Sequence, residues 1–185
     1  MNYCKVYISL FVVFFFILSG CDGREKNRPV DISDIQEKSL PDYVLEDVTH
    51  YHYENGILKL EITFEKGKFY SAEDELYVEN CTFIYYDINE NLLSRGRSKK
   101  AKVFSDQSLI IAENEVVIVS EVNGGVLETE YLEWHGQGDQ FLTDSPVTIT
   151  HKNGDIITGI GMVADIALRF VTIQKDVKGS FRSSF

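Results

Sequence analysis

Glu54-Asn55-Gly56-Ile57-Leu58 is the first of four related turns in the chain. The others are Asn89-Glu90-Asn91-Leu92-Leu93, Asn123-Gly124-Gly125-Val126-Leu127 and Lys152-Asn153-Gly154-Asp155-Ile156. Gly and Asn enter the left-handed backbone region at low cost, and Asn-Gly between alternating apolar residues is a strong hairpin signal. The left-handed residue is expected at Gly56, Asn91, Gly125 and Gly154, in steps of 35, 34 and 29 residues. A β-rich run precedes each turn: Val48 to Tyr53, Cys81 to Tyr86, Val116 to Ser120 and Val147 to His151. Another follows each: Ile57 to Phe64, Leu92 to Arg97, Val126 to Trp134 and Ile156 to Met162. One hairpin per period reads as stacked repeats rather than a single compact catalytic fold. The aliphatic residue after each turn (Leu58, Leu93, Leu127, Ile156) is expected to join a continuous apolar track.

The remaining strands follow by working outward. Leu58, Leu60, Ile62 and Phe64 alternate with Lys59, Glu61 and Thr63, the pattern of a half-buried strand with one wet face. Glu65 to Leu76 read as a polar reversal before Tyr77 restarts strand character. Cys81, Phe83 and Tyr85 share one face, and Arg95 and Arg97 are expected to point the same way as Leu93, which requires them to reach a rim or an acid. Val116 and Ile118, Leu127, Val147 and Ile149, and Ile156 supply the later inward positions. A last strand is expected over Leu168 to Ile173, with Phe170 inward, and residues 180–185 read as frayed.

The 185-residue chain suits one domain plus a leader. Its formal charge is −11, and Lys5 is the only charged residue among the first 20, so the chain without them carries −12. That balance argues against nucleic acid as a partner, because phosphate binding needs a basic face, and against electrostatic adhesion to anionic lipid. Tyr and Phe are abundant and Pro is scarce, which favours strands.

Residues 1–20 read as a targeting segment. Lys5 supplies a positive start, and Val6 to Leu18 form an apolar run of about 13 residues, short of the roughly 20 needed to span a bilayer. Leu18-Ser19-Gly20-Cys21 resembles the lipoprotein signal, in which small residues admit the signal peptidase and the Cys21 thiol carries the lipid. The competing reading is an uncleaved membrane helix with a chance cysteine. Two or more acyl chains make a stable anchor, at about 0.8 kcal/mol per buried CH₂. Asp22 next to the anchor resembles an inner-membrane retention signal of some diderm bacteria, and reads equally as a plain polar residue. The polar stretch to residue 40 is expected to be a tether, with a helical turn or two within Asp31 to Ser39.

No catalytic set emerges, no cofactor is implied, and the chain reads as a non-enzyme. It has no Gly-x-Ser-x-Gly elbow, phosphate loop or dinucleotide fingerprint. His50 and His52 share a strand face as metal ligands do, but spacing places no third ligand, so they read as surface histidines. Cys81 would be unpaired in a lipidated chain and reads as a small buried hydrophobe. Trp134, beside His135-Gly136-Gln137-Gly138-Asp139, reads as a core aromatic at a strand end, with a ligand-facing rim position as the alternative.

The C-terminal half carries a family resemblance. Asn123-Gly124-Gly125-Val126-Leu127-Glu128-Thr129-Glu130, Leu132, Thr143-Asp144-Ser145-Pro146-Val147-Thr148-Ile149-Thr150, Gly154, Thr158-Gly159 and Met162 to Asp165 resemble LptC, the membrane-anchored periplasmic component of lipopolysaccharide export. The similarity extends over about residues 41–179 and is strongest from 113 to 179. It implies an all-β twisted jellyroll of two facing antiparallel sheets, open as a V-shaped groove for acyl chains. It further implies receipt of lipopolysaccharide, or a related glycolipid, from an inner-membrane ABC transporter and delivery to an LptA-like protein by edge-strand pairing. The edges expected to pair are Tyr43 to Val48 and Leu168 to Val177. The groove lining expected under this resemblance is Phe83, Val116, Ile118, Leu127, Val147, Ile149, Ile156 and Phe170, with Cys21 as the lipid anchor on the periplasmic face of the inner membrane. LptC proteins usually keep an uncleaved N-terminal helix, from which the lipobox here departs. The rival readings are a structural or adhesive β-repeat lipoprotein with a closed core, and an enzyme using His50 and His52.

Overall fold

The computed structural model describes residues 40–104 and 108–182. The expectations for the leader, Cys21 and the tether up to residue 39, and for the last three residues, lie outside the described residues. Among the described residues every regular element is a strand: β1 (Tyr43–Glu54), β2 (Ile57–Tyr70), β3 (Glu75–Tyr86), β4 (Leu92–Phe104), β5 (Leu109–Ser120), β6 (Val126–His135), β7 (Gln140–Thr150), β8 (Ile156–Asp165) and β9 (Val171–Ser180). They form one antiparallel meander in sequence order, with β1 and β9 as its edges.

Most strands are about twice the length read from the turns, because they continue through a mid-strand irregularity, whereas β6 and β8 are only one and three residues longer than read. Register pairing skips Asp47 in β1 and Asn80 in β3. It shifts between Arg97 and Lys100, Glu113 and Val116, Thr129 and Glu133, Thr143 and Pro146, and Thr158 and Ile160. Positive φ occurs at Asp47, Asn80, Asn114, Glu115, Gly161 and Asp176. Such bulges bend a strand and re-aim its side chains. Lined up across nine strands, they make a crease.

The crease turns one sheet into two facing layers. The ends of the strands beside the four Asn/Gly turns form one layer, and the opposite ends form the other. The layers meet with an offset of about three strands. Tyr85, at the turn end of β3, packs its ring 5.6 Å from Trp134 of β6 and 5.5 Å from Phe141 of β7, both at the opposite ends of their strands. Ser120 Oγ donates to the Ala167 carbonyl at 2.5 Å, and Asn123 Nδ2 to the Leu168 carbonyl at 2.9 Å, tying the β5–β6 turn to the β8–β9 turn. The facing sheets of the jellyroll are therefore two halves of one folded sheet.

The core lies between these halves. One rung crosses all nine strands by register: His50, Ile62, Phe83, Gly96, Ile118, Leu127, Ile149, Ile157 and Gly179. Phe83, Ile118, Leu127 and Ile149 in it are all under 5% exposed. Gly96 keeps the rung closed, since a Cβ there would stand 2.4 Å from Ile118 Cδ1 and 3.3 Å from Phe83 Cδ2. The track expected from the turn-adjacent residues does not form. Leu58 sits opposite Tyr53, Leu127 opposite Ile118 and Ile149, and Ile156 opposite Thr150. The turns differ in length and type, so equal distance from a turn is not equal position in the rung.

Two turns place the left-handed residue one position earlier than expected: Glu90 rather than Asn91, and Gly124 rather than Gly125. In the first, the Asp87 carboxylate accepts the Asn89 and Asn91 amides and the Asn91 side chain, which pins both sides of Glu90. In the second, Asn123 Oδ1 accepts the Gly125 amide at 2.8 Å. The expected polar reversal from Glu65 to Leu76 shrinks to a turn between Tyr70 and Glu75. Arg95 and Arg97 face solvent, because the neighbouring Ser94, Gly96 and Ser98 take the inward positions, and Arg95 pairs with Glu121.

On β6, Tyr131 donates to Glu133 Oε1 at 2.6 Å, and His135 Nε2 lies 2.8 Å from Glu133 Oε2. These bonds hold the Glu133 carboxyl below its ordinary value, while burial and the same bond push Tyr131 up to about 12. A depressed folded value stabilises the fold above the unfolded carboxyl value and ceases to do so as pH falls through the folded one. Unfolding by denaturant, followed from neutral pH into the acid range, is expected to show less acid loss in Glu133→Gln than in the native chain. Parallel pH profiles would refute that role.

Candidate functional site: the interior groove and its two mouths

The inward positions of alternating strands build the candidate groove, and the crease sets which face is inward. Phe83, Val116, Ile118, Leu127, Val147 and Ile149 all stand in the core, at 4% exposure or less. Val116 and Val147 flank Thr129 in a second rung next to the crease. Ile156 and Phe170 do not turn inward, which corrects the expectation for both. Ile156 is 39% exposed, because after the Gly154 turn it is Ile157 that pairs opposite Ile149. Phe170 is 76% exposed. It belongs to the β8–β9 turn, where Leu168 has positive φ and Asp165 Oδ1 accepts the Arg169 and Phe170 amides. Those bonds, with the Arg169 guanidinium, hold Asp165 low against the opposing effect of burial. The last strand accordingly starts at Val171 rather than Leu168.

Between the two layers the middle of the interior is filled by side chains, and space remains at the two ends. At the first mouth, the turn ends of β1 and β2 face the opposite ends of β4, β5 and β6. The cavity there is about 230 Å³, with walls that include His50, His52, Leu60, Leu109 and Trp134. At the second, Asn123, Ile149 and Ile157 face Leu168, Val171 and Ile173 around about 260 Å³. Both mouths have mainly apolar walls. A third hollow, about 340 Å³, follows the crease past Glu65, Asn80, Arg97, Lys99 and Glu115 and is polar.

The residues singled out for chemistry find quiet surroundings. Cys81 is 1% exposed, with Sγ 3.1 Å from Ser98 Oγ, and burial pushes its thiol up, so it is a shielded core residue. His50 and His52 are exposed, yet they pair opposite the buried Ile62 and Leu60 and so stand on the groove side of β1. Burial, followed by the neighbouring His52, lowers the His50 value. Among the described residues no group of three or more His, Cys, Asp or Glu is placed to hold a metal ion. Trp134 is 7% exposed and belongs to the core, and it also forms a wall of the first mouth. The free edges of the sheet are β1 and β9. β1 exposes Tyr43, Val44, Tyr51 and Tyr53, and β9 is polar and almost wholly exposed.

Sequence reasoning missed the crease, the pairing of the two layers and both mouths. The crease had a legible signal. Inward residues are spaced three apart across it in β2 (Phe64, Gly67), β3 (Val78, Cys81), β4 (Ser98, Ala101) and β6 (Thr129, Leu132), where an unbroken strand would give two.

No match was found among curated protein sequences. Among solved structures, the fold is similar to that of LptH from Pseudomonas aeruginosa, described as the LptA-homologous periplasmic component of the conserved lipopolysaccharide transport device. The TM-score is 0.53 at 5% sequence identity, and the match covers 67% of this chain and 95% of that one. At that identity the likeness speaks for the fold alone. The family model for lipopolysaccharide-assembly, LptC-related proteins matches residues 9–182. With nearly the whole chain matched, and the strand order, folded sheet and open ends of a jellyroll in place, the chain belongs to the LptC-related lipopolysaccharide-assembly family.

Proposed function

We propose that this protein is a periplasmic, non-catalytic carrier in lipopolysaccharide export, which holds the acyl chains of lipopolysaccharide or a related glycolipid between its two β layers. The observation that carries this is the inward rung that crosses the sheet, with apolar side chains between Ile62 and Ile157, and a mainly apolar mouth at each end. In this role Phe83, Val116, Ile118, Leu127, Val147 and Ile149 line the track. Cargo arrives from an inner-membrane ABC transporter, and Cys21, as a lipidated residue, holds the domain at the periplasmic face of the inner membrane. An LptA-like protein adds its edge strand to β9, since an unpaired strand edge is a template for augmentation. The packed middle of the interior means that cargo enters by parting the two layers from a mouth inward.

A photo-crosslinking residue at Ile149, in the second mouth, is expected to label lipopolysaccharide in cells. The same residue at Val117, on the opposite face of β5, is expected not to label it. Equal labelling at the two positions, or none at Ile149, would sink the proposal.

A further inference from the structure

The two mouths differ in charge. The lining of the first includes no Lys or Arg, only the imidazoles of His50 and His52. The second sets Arg169 and His151 beside the apolar Ile149, Ile157, Val171 and Ile173. Arg169 is fixed by its own turn, its amide donating to Asp165 Oδ1 at 2.7 Å and its Nε to Asp165 Oδ2 at 2.8 Å. The Nη groups have no hydrogen-bond partner among the described residues, and the side chain is 55% exposed. Lys152 joins from the β7–β8 turn. Its stem packs along the β5–β6 turn, where a Cβ on Gly124 would stand 3.1 Å from Lys152 Cδ, between the lining residues Asn123 and Gly125. Lys152 makes no ion pair among the described residues. The neighbouring acids are engaged: Asp165 also accepts the Phe170 amide, and Asp155 accepts the Asn153 side chain and the Arg182 amide. In a chain of formal charge −11, two cations and an imidazole at an apolar opening run against the overall balance.

We infer that the second mouth is the headgroup end of the groove, taking an alkyl chain whose head is a phosphate. The chain lies against Ile149, Ile157 and Ile173, and the phosphate on Arg169, Lys152 and His151. The inference rests on the carrier role proposed above and adds which end of the cargo each mouth receives. A guanidinium presents a fork of donors that matches phosphate oxygens, an ammonium adds a mobile charge, and an imidazole N–H adds another donor. Three such groups suit the three free oxygens of a phosphomonoester better than the two of a carboxylate. The bond from Nε to Asp165 orders the guanidinium before cargo arrives, so less freedom is lost on binding. The apolar walls take the methylenes. The first mouth, without Lys or Arg in its lining, receives uncharged chain. Arg169 and Lys152 are thereby specificity-determining residues that separate phosphorylated from neutral amphiphiles.

The test uses the full chain in alkyl maltoside micelles, which are uncharged, with binding read from the methyl resonances of Ile149 and Ile157. The probes share one chain length: hexadecyl phosphate, hexadecanoate and neutral hexadecylglycerol, with inorganic phosphate as a fourth. Hexadecyl phosphate is expected to bind roughly five- to thirtyfold more tightly than hexadecylglycerol, between the size of an exposed ion pair and that of a charge-assisted hydrogen bond. Added salt is expected to narrow that preference. Arg169→Gln and Lys152→Gln are each expected to reduce it, whereas Lys99→Gln, which removes the same charge at the crease, is expected to keep it. If Arg169→Gln fails to fold, Lys152→Gln decides, since Lys152 makes no ion pair that the fold would lose. Equal binding of the phosphate and glycerol probes, or a preference that survives in both mouth variants, overturns the inference. Hexadecanoate binding as tightly as the phosphate overturns the choice of head. Inorganic phosphate that moves the methyl resonances as strongly as hexadecyl phosphate makes this a free-anion site and overturns it too. Methyl shifts with all three chain probes but no selectivity sink this inference and leave the carrier role standing, whereas no shift with any of them sinks both.

Discussion

Replacing Phe141 by Ala is expected to destabilise the fold by about 3–5 kcal/mol, the usual cost of emptying a buried phenylalanine site. In a domain of this size that lowers the melting temperature by roughly 6–20 °C. Phe141 is 1% exposed and stands directly opposite Trp134 on β6 and Ala164 on β8. Its ring also meets Tyr85 edge-on from the other layer. The site therefore cannot collapse by a simple shift within one layer, because neighbours on both sides of the core hold the walls apart. Burial also pushes the Tyr85 phenol well above its ordinary value, as expected for a ring enclosed from both sides. Circular dichroism during heating and denaturant unfolding measure the loss. A variant within about 1 kcal/mol of the native chain would mean that the two layers do not share one core. Phe170→Ala is the natural contrast: at 76% exposure it belongs in the range of about ±0.5 kcal/mol found for surface positions.

Gly159→Val is expected to release β9 from the sheet while β1 to β8 stay folded. A Cβ at this position would stand 2.3 Å from Ile173 Cγ2 and 2.9 Å from the Lys175 carbonyl oxygen. The side chain of Ile173 can turn aside, but the Lys175 carbonyl is backbone, and the β8–β9 register already breaks between Thr158 and Ile160 at this point. Valine adds two methyl groups to that contact. Overpacking costs about 1–3 kcal/mol when a core can adjust, and an edge strand adjusts most easily by leaving. Hydrogen exchange would detect this as faster exchange of the β9 amides, with protection kept in β3 to β7. In the proposed function the same variant loses its LptA-like partner, because the pairing edge is gone. Unchanged β9 protection would refute the first claim. Normal partner capture despite an exposed β9 would refute pairing through that edge.

The two substitutions differ in how far they were legible in the sequence. The inward face around Phe83, Val116, Ile118, Leu127, Val147 and Ile149 followed from alternation alone, because a two-residue period assigns faces wherever a strand is regular. Ile156 and Phe170 were misjudged because alternation has to be started from a known residue. Equal distance from a turn does not give equal phase: Gly154 takes the left-handed conformation as expected, yet it is Ile157 that pairs opposite Ile149, and the Asp165 carboxylate holds Phe170 in its turn. The role of Gly159 had no local signal, since the atom it must avoid belongs to a strand that begins 12 residues later.

The sequence by itself determined the all-β class, the four Asn/Gly hairpins and the acidic, non-nucleic-acid character of the chain. These are local properties of periodicity, turn chemistry and charge. It also carried the family, through motifs concentrated in the second half. Only the tertiary structure decided that one sheet is creased into two layers, that the turn end of β3 meets the far ends of β6 and β7, and that open space survives at the two mouths. A crease is a row of small irregularities, each unremarkable within its own strand. Its effect comes from their alignment across nine strands, which is set by register, and register depends on partners distant in the chain. Trp134 shows the same division. Its place in the core was legible from its strand, whereas its part in the wall of a cavity shared with His50 and His52 exists only because β1 folds over β6.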